Sequence, residues 1–97
     1  METVVLVLEG VRKAVNPLSE EIERNGLDVP RPIHLRLNFV QIEFITSVEV
    51  GTLVSLHKRY RECGGRLTLR CVGKNVLEVL CITRLDTVLH IENHSSS

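Results

Sequence analysis

"EFITSVEVGTLVSLHKRYRECGGRLTLRCV", residues 43–72, decides the fold class. Thr46 and Glu49 have the S/T-x-x-E spacing of a capping box, placed just ahead of an apolar-periodic run. Val50, Leu53, Val54 and His57 then recur at helical spacing, with Leu56 and Tyr60 on the flank. Gly64-Gly65 closes the helix, because glycine accepts the left-handed backbone that follows a helix C-terminus. The chain returns at once as "RLTLRCV", residues 66–72, where Leu67, Leu69 and Cys71 alternate with Thr68 and Arg70. A period near 3.6 gives way to a period of two across two glycines, the signature of a helix feeding a strand.

Upstream, Thr3 to Leu8 is a β-branched, nearly continuous apolar run, which suits a strand covered on both faces. Asn16-Pro17 reads as a helix start, with Asn16 as N-cap and Pro17 as first helical residue. Glu20 and Glu21 fall in the first turn, where negative charge suits the helix dipole, and Leu18 and Ile22 point to the core. Asn25-Gly26 ends this helix, and "LDVPRP" is a connector because its prolines forbid regular structure. "IHLRLNFV", residues 33–40, follows as a strand with Ile33, Leu35 and Leu37 on one face. Downstream, Gly73-Lys74-Asn75 opens a third helix with Asn75 as its cap and Val76, Leu77, Leu80 and Cys81 on the apolar side. "TVLHI", residues 87–91, reads as a last short strand, and "ENHSSS" has nothing to bury.

Strand and helix alternate throughout, so the expected class is α/β: a central, mostly parallel sheet of four or five strands with three to four helices packed around it. Residues 1–92 are expected to form a single domain, with 93–97 a disordered tail. In such sheets, ligands and partners meet the loops beyond the carboxyl ends of the strands. The loop carrying Thr46 and Ser47 follows one of those ends.

Composition narrows the function. Twelve basic and twelve acidic residues cancel, so the basic footprint of a nucleic-acid binder is missing. His57-Lys58-Arg59-Tyr60-Arg61 is read as a solvated helix face. Cys63, Cys71 and Cys81 are odd in number and form no CxxC clip, and the four histidines offer no zinc spacing with them. Free thiols in a reducing cytoplasm, with no metal and no cofactor, are the expectation. "TVVLVL" is too short to span a bilayer and follows Glu2, so direct membrane insertion is not expected.

Residues 44–91 resemble the C-terminal two-thirds of a STAS domain, the anti-sigma-factor-antagonist module. That family has a strand, an Asp-Ser-Ser-Gly-Leu-Gly-like loop, a helix, a Gly-Gly turn, a strand, and a helix ending in Thr-Gly-Leu-Asp. The matches are Phe44-Ile45 before the loop, Ser47 within it, Gly51 and Leu53 in the early helix, "LHKRYRECGGRL", Val76 and Leu80, and Leu85-Asp86. Weaker agreement around "VLEG" and "NPL" extends the resemblance over most of the chain, with one extra N-terminal strand of the family missing. The resemblance implies a bacterial cytosolic module. In the family the serine after the loop aspartate is phosphorylated by a kinase that is also an anti-sigma factor, and the unphosphorylated form binds that kinase. Ser47 matches the acceptor. Thr46 stands where the family has aspartate, Val48-Glu49 replaces Ser-Gly, Lys13 falls near a second aspartate, and Arg84 replaces the glycine after the third helix.

Two roles therefore stand open for Ser47, phosphoacceptor or solvated loop residue, and two for Thr46, helix cap or alternative acceptor. The expected docking surface is Thr46, Ser47, Val48, Glu49 and Val50, with Lys13 on the neighbouring turn, where two roles stand open, a solvated turn residue or a contact to an acidic partner. No second catalytic group accompanies Ser47 and no P-loop is present, so an enzyme is not expected. The implied partner is a kinase-type anti-sigma factor. The alternative is an accessory subunit of a membrane transport ATPase that binds without phosphorylation.

Overall fold

The computed structural model describes residues 1–9 and 17–92, in which strand and helix alternate as the periodicity predicts. The elements are β1 (Glu2–Val7), α1 (Pro17–Arg24), β2 (Ile33–Asn38), α2 (Ser47–Glu62), β3 (Arg66–Arg70), α3 (Lys74–Ile82), a 3₁₀ turn (Leu85–Thr87) and β4 (His90–Glu92). The four strands form one sheet in the order β1-β2-β3-β4, and every neighbouring pair is parallel. Right-handed crossovers that always step in the same direction place α1, α2 and α3 on one face. That face carries Leu35 and Leu37 of β2 and Leu67 and Leu69 of β3, all at most 2% exposed. Leu53, Leu56 and Tyr60 of α2 and Val76 and Leu80 of α3 close over them.

Tyr60 ties the layers together. Its ring is fully buried, and its hydroxyl donates to the Leu27 carbonyl at 2.8 Å, anchoring the connector after α1. Beside it, a Cβ on Gly65 would lie 2.6 Å from the Arg31 carbonyl oxygen, so only glycine lets β3 start this close to β2.

Several local expectations are corrected. The apolar run of β1 is not covered on both faces: β1 is an edge strand, with Val5 51% and Val7 42% exposed. Continuous hydrophobicity here reflects β propensity more than burial. Strand β2 ends at Asn38, whose Oδ1 accepts from the Val40 N–H at 2.8 Å and turns the chain. Strand β3 likewise stops at Arg70, because Cys71 takes a left-handed φ of 55°. The N-cap of α3 is Gly73 and not Asn75, and no side chain bonds there. Cys81, expected on the apolar side of α3, is exposed. Within "TVLHI", Thr87 belongs to the 3₁₀ turn and the strand begins only at His90. Glu92, grouped with the terminal run by composition, is the last residue of β4 and pairs with Arg36. Glu21 does more than sit in a favourable dipole: it is 3% exposed and accepts from the Glu9 N–H at 2.6 Å. Asn16 and Lys13 lie outside the described residues, as does the tail 93–97.

Arg84, where the STAS pattern has glycine, sits at φ 63° after α3. A left-handed non-glycine residue costs about 1 kcal/mol. Arg84→Gly is therefore expected to raise stability by about 0.5–1 kcal/mol in urea unfolding, despite the greater chain entropy of glycine. Tyr60→Phe strands a buried carbonyl and is expected to lower stability by about 1–2 kcal/mol in the same assay.

Candidate functional site

The carboxyl ends of β1, β2 and β3 lie at the same end of the parallel sheet. There the loop from β2 passes into α2. Phe39 begins it, buried, with its N–H donating to the Arg70 carbonyl at 2.8 Å. Ile42 and Ile45 pack partly against the core, while Val40 and Phe44 are each 64% exposed. The loop is thus held from beneath by every third residue and presents the others outward.

Thr46 is the N-cap of α2 and completes the capping box. Its Oγ1 accepts from the Glu49 N–H at 3.2 Å, and the Glu49 carboxylate accepts from the Thr46 N–H at 2.9 Å and from its hydroxyl at 3.1 Å. The Thr46 oxygen and the Glu49 carboxylate are both engaged in holding the helix start. Ser47, the first helical residue, is exposed, and its hydroxyl has no hydrogen-bond partner among the described residues. Val48, next to it, is 53% exposed. Val50 is half-buried and leaves the outward group. The structure brings Thr46, Ser47 and Val48 together as one exposed helix start with the half-buried Glu49 beside them, and Lys13 lies outside the described residues.

Phe44 and Val40 were missed by the sequence reading. The available signal was an aromatic side chain, in a chain with 3% aromatics, placed in a loop without a periodic partner. Beneath the loop a cavity of about 10 Å³ is lined by Leu8, Leu18, Glu21, Phe39, Ile42, Ile45 and Glu49. It has room for about one water and no organic ligand. A wider groove of about 420 Å³ runs between α1 and α2 and opens beside Val48. Among the described residues no group of three or more His, Cys, Asp or Glu side chains is placed to hold a metal. No described helix is long and apolar enough to cross a membrane.

Four parallel strands in sequential order with an exposed serine at the helix start beyond a strand end define the class of fold. The STAS domain family matches residues 2–97, and the chain belongs to that family. A solved crystal structure from Thermotoga maritima, described as a candidate anti-sigma factor antagonist, shares the fold at a TM-score of 0.64. It is 22% identical, and the match covers 97% of this chain and 80% of that one. No curated protein matches the chain.

The two hydroxyls separate by stability. Thr46→Ala removes the capping box and is expected to cost about 1 kcal/mol in urea unfolding. Ser47→Ala touches no bond and is expected to stay within about 0.5 kcal/mol of the parent.

Proposed function

We propose that the chain is a non-enzymatic, cytosolic bacterial docking module of the anti-sigma-factor-antagonist kind. Residues 1–92 act as one unit, and the loop and helix start at Thr46, Ser47, Val48 and Glu49 bind a kinase-type anti-sigma factor, with Lys13 on the neighbouring turn. The observation that carries this reading is the division of labour between neighbouring hydroxyls: Thr46 is bound into the capping box, and Ser47 is exposed without a partner. Exposed Phe44 and Val48 supply the apolar anchors that such interfaces need.

In this reading Ser47 is the phosphoacceptor. A phosphate there adds about −1.5 to −2 charges at the docking surface and disfavours an interface built for a neutral hydroxyl. The helix N-terminus favours the anion by about 0.3–1 kcal/mol. The Glu49 carboxylate, held to Thr46, opposes it: at a separation of ~6 Å the repulsion is on the order of 1 kcal/mol per unit charge in surface-like dielectric. That fixed charge favours the second reading, constitutive binding without phosphorylation, as in an accessory subunit of a transport ATPase.

Intact-mass analysis of the protein isolated from its host separates the two. The phosphoswitch predicts an added phosphate that Ser47→Ala abolishes and Thr46→Ala retains. Affinity capture then identifies the partner: a kinase-type ATPase supports the antagonist reading, and a transporter ATPase the accessory one. Phe44→Ser is expected to weaken capture at least tenfold under either. Capture unaffected by both Phe44→Ser and Ser47→Glu would place docking elsewhere and overturn the proposal.

A further inference from the structure

All-parallel sheets are normally covered on both faces, because their crossover helices divide between them. Here strand order and handedness send every described helix to one side. The register sets Val5 and Val7 of β1, His34, Arg36 and Asn38 of β2, Arg66, Thr68 and Arg70 of β3, and His90 and Glu92 of β4 on the opposite face. That face is polar but ordered. Thr68 is fully buried among its neighbours, and its hydroxyl is bonded to His34 Nε2 at 2.6 Å. Glu92 bridges Arg36 and Arg70, the latter at 3.4 Å.

The charge on this face does not balance. Among the described strand residues of this face, three guanidinium groups, Arg36, Arg66 and Arg70, stand with one carboxylate, Glu92. Arg66 is exposed and makes no ion pair among the described residues. The Nε of Arg36 is shielded from water and lacks a hydrogen-bond partner among them. Exposed Val5 and Val7 add an apolar strip along the β1 side.

We propose that this open sheet face is a second docking surface, and that its occupant is an acidic amphipathic helix of a protein partner. Helices are the elements that cover parallel sheets. Carboxylates on the helix would meet Arg66 and Arg36, and its apolar residues would meet Val5 and Val7. A second copy of the chain is the wrong occupant, since two such faces oppose like charges. A lipid surface fits less well, because a parallel sheet is twisted and a bilayer is flat on this scale. This surface is independent of the Ser47 end.

The test uses the full chain and a synthetic amphipathic helix of glutamate and leucine, compared with the same peptide carrying glutamine for glutamate. Binding is read by fluorescence anisotropy and by backbone amide shifts. The glutamate peptide is expected to bind at least tenfold tighter than the glutamine one and to perturb β1 through β4. Arg66→Glu and Val5→Glu, both at exposed positions, are each expected to weaken it at least fivefold, while Ser47→Glu leaves it unchanged. Equal binding of the two peptides, shifts confined to the helices, or indifference to Arg66→Glu would overturn the proposal. So would concentration-dependent dimerisation lost in Val5→Glu, or binding to phosphatidylserine vesicles without binding to the peptide.

Discussion

The leucines of the two central strands are the constraint on which the rest of the molecule depends. Leu35, Leu37, Leu67 and Leu69 are at most 2% exposed, and all lie on one face of β2 and β3. Full burial of one such side chain is worth about 1.5–3 kcal/mol. Four of them are therefore comparable with the entire net stability of a small domain, about 5–15 kcal/mol. With 3% aromatics, the core is built largely from aliphatic side chains, and α2 and α3 lie where they cover these leucines.

The two surfaces follow from this arrangement. Consecutive right-handed crossovers over a common face bring the strand ends to one edge, where the loop before α2 is pinned by Phe39, Ile42 and Ile45 and exposes what lies between. The capping box then holds Thr46 and Glu49 and leaves Ser47 without a bond. Because the described helices lie on one side, the described residues on the other side of β2, β3 and β4 include three arginines, two histidines and one glutamate.

Much of the fold and part of the site were legible in the sequence, for local reasons. A capping box is a contact between residues three apart, and a Gly-Gly stop depends on φ alone, so both survive without knowledge of tertiary partners. The readings that failed depended on distant neighbours. The run Thr3 to Leu8 looks buried on both faces, but edge or centre is a property of sheet order. Asn75 is a good cap by chemistry, but the N-cap lies two residues earlier at Gly73 and the helix begins at Lys74. Glu92 looks like part of a polar tail until the register of β4 sets it opposite Arg70 and within reach of Arg36.

By itself, the sequence determined the alternation of strand and helix, the bounds of α2 with its capping box, and the resemblance that names the family. These rest on periods and spacings within about a turn or a strand, where side chains meet through the backbone that joins them. Only the tertiary structure decided that β1 is an edge, that Phe44 and Val40 face outward, and that, among the described residues, three arginines share one sheet face with Glu92. Exposure and charge balance at those places are set by residues far apart in the chain, through strand order and register, which no local spacing encodes.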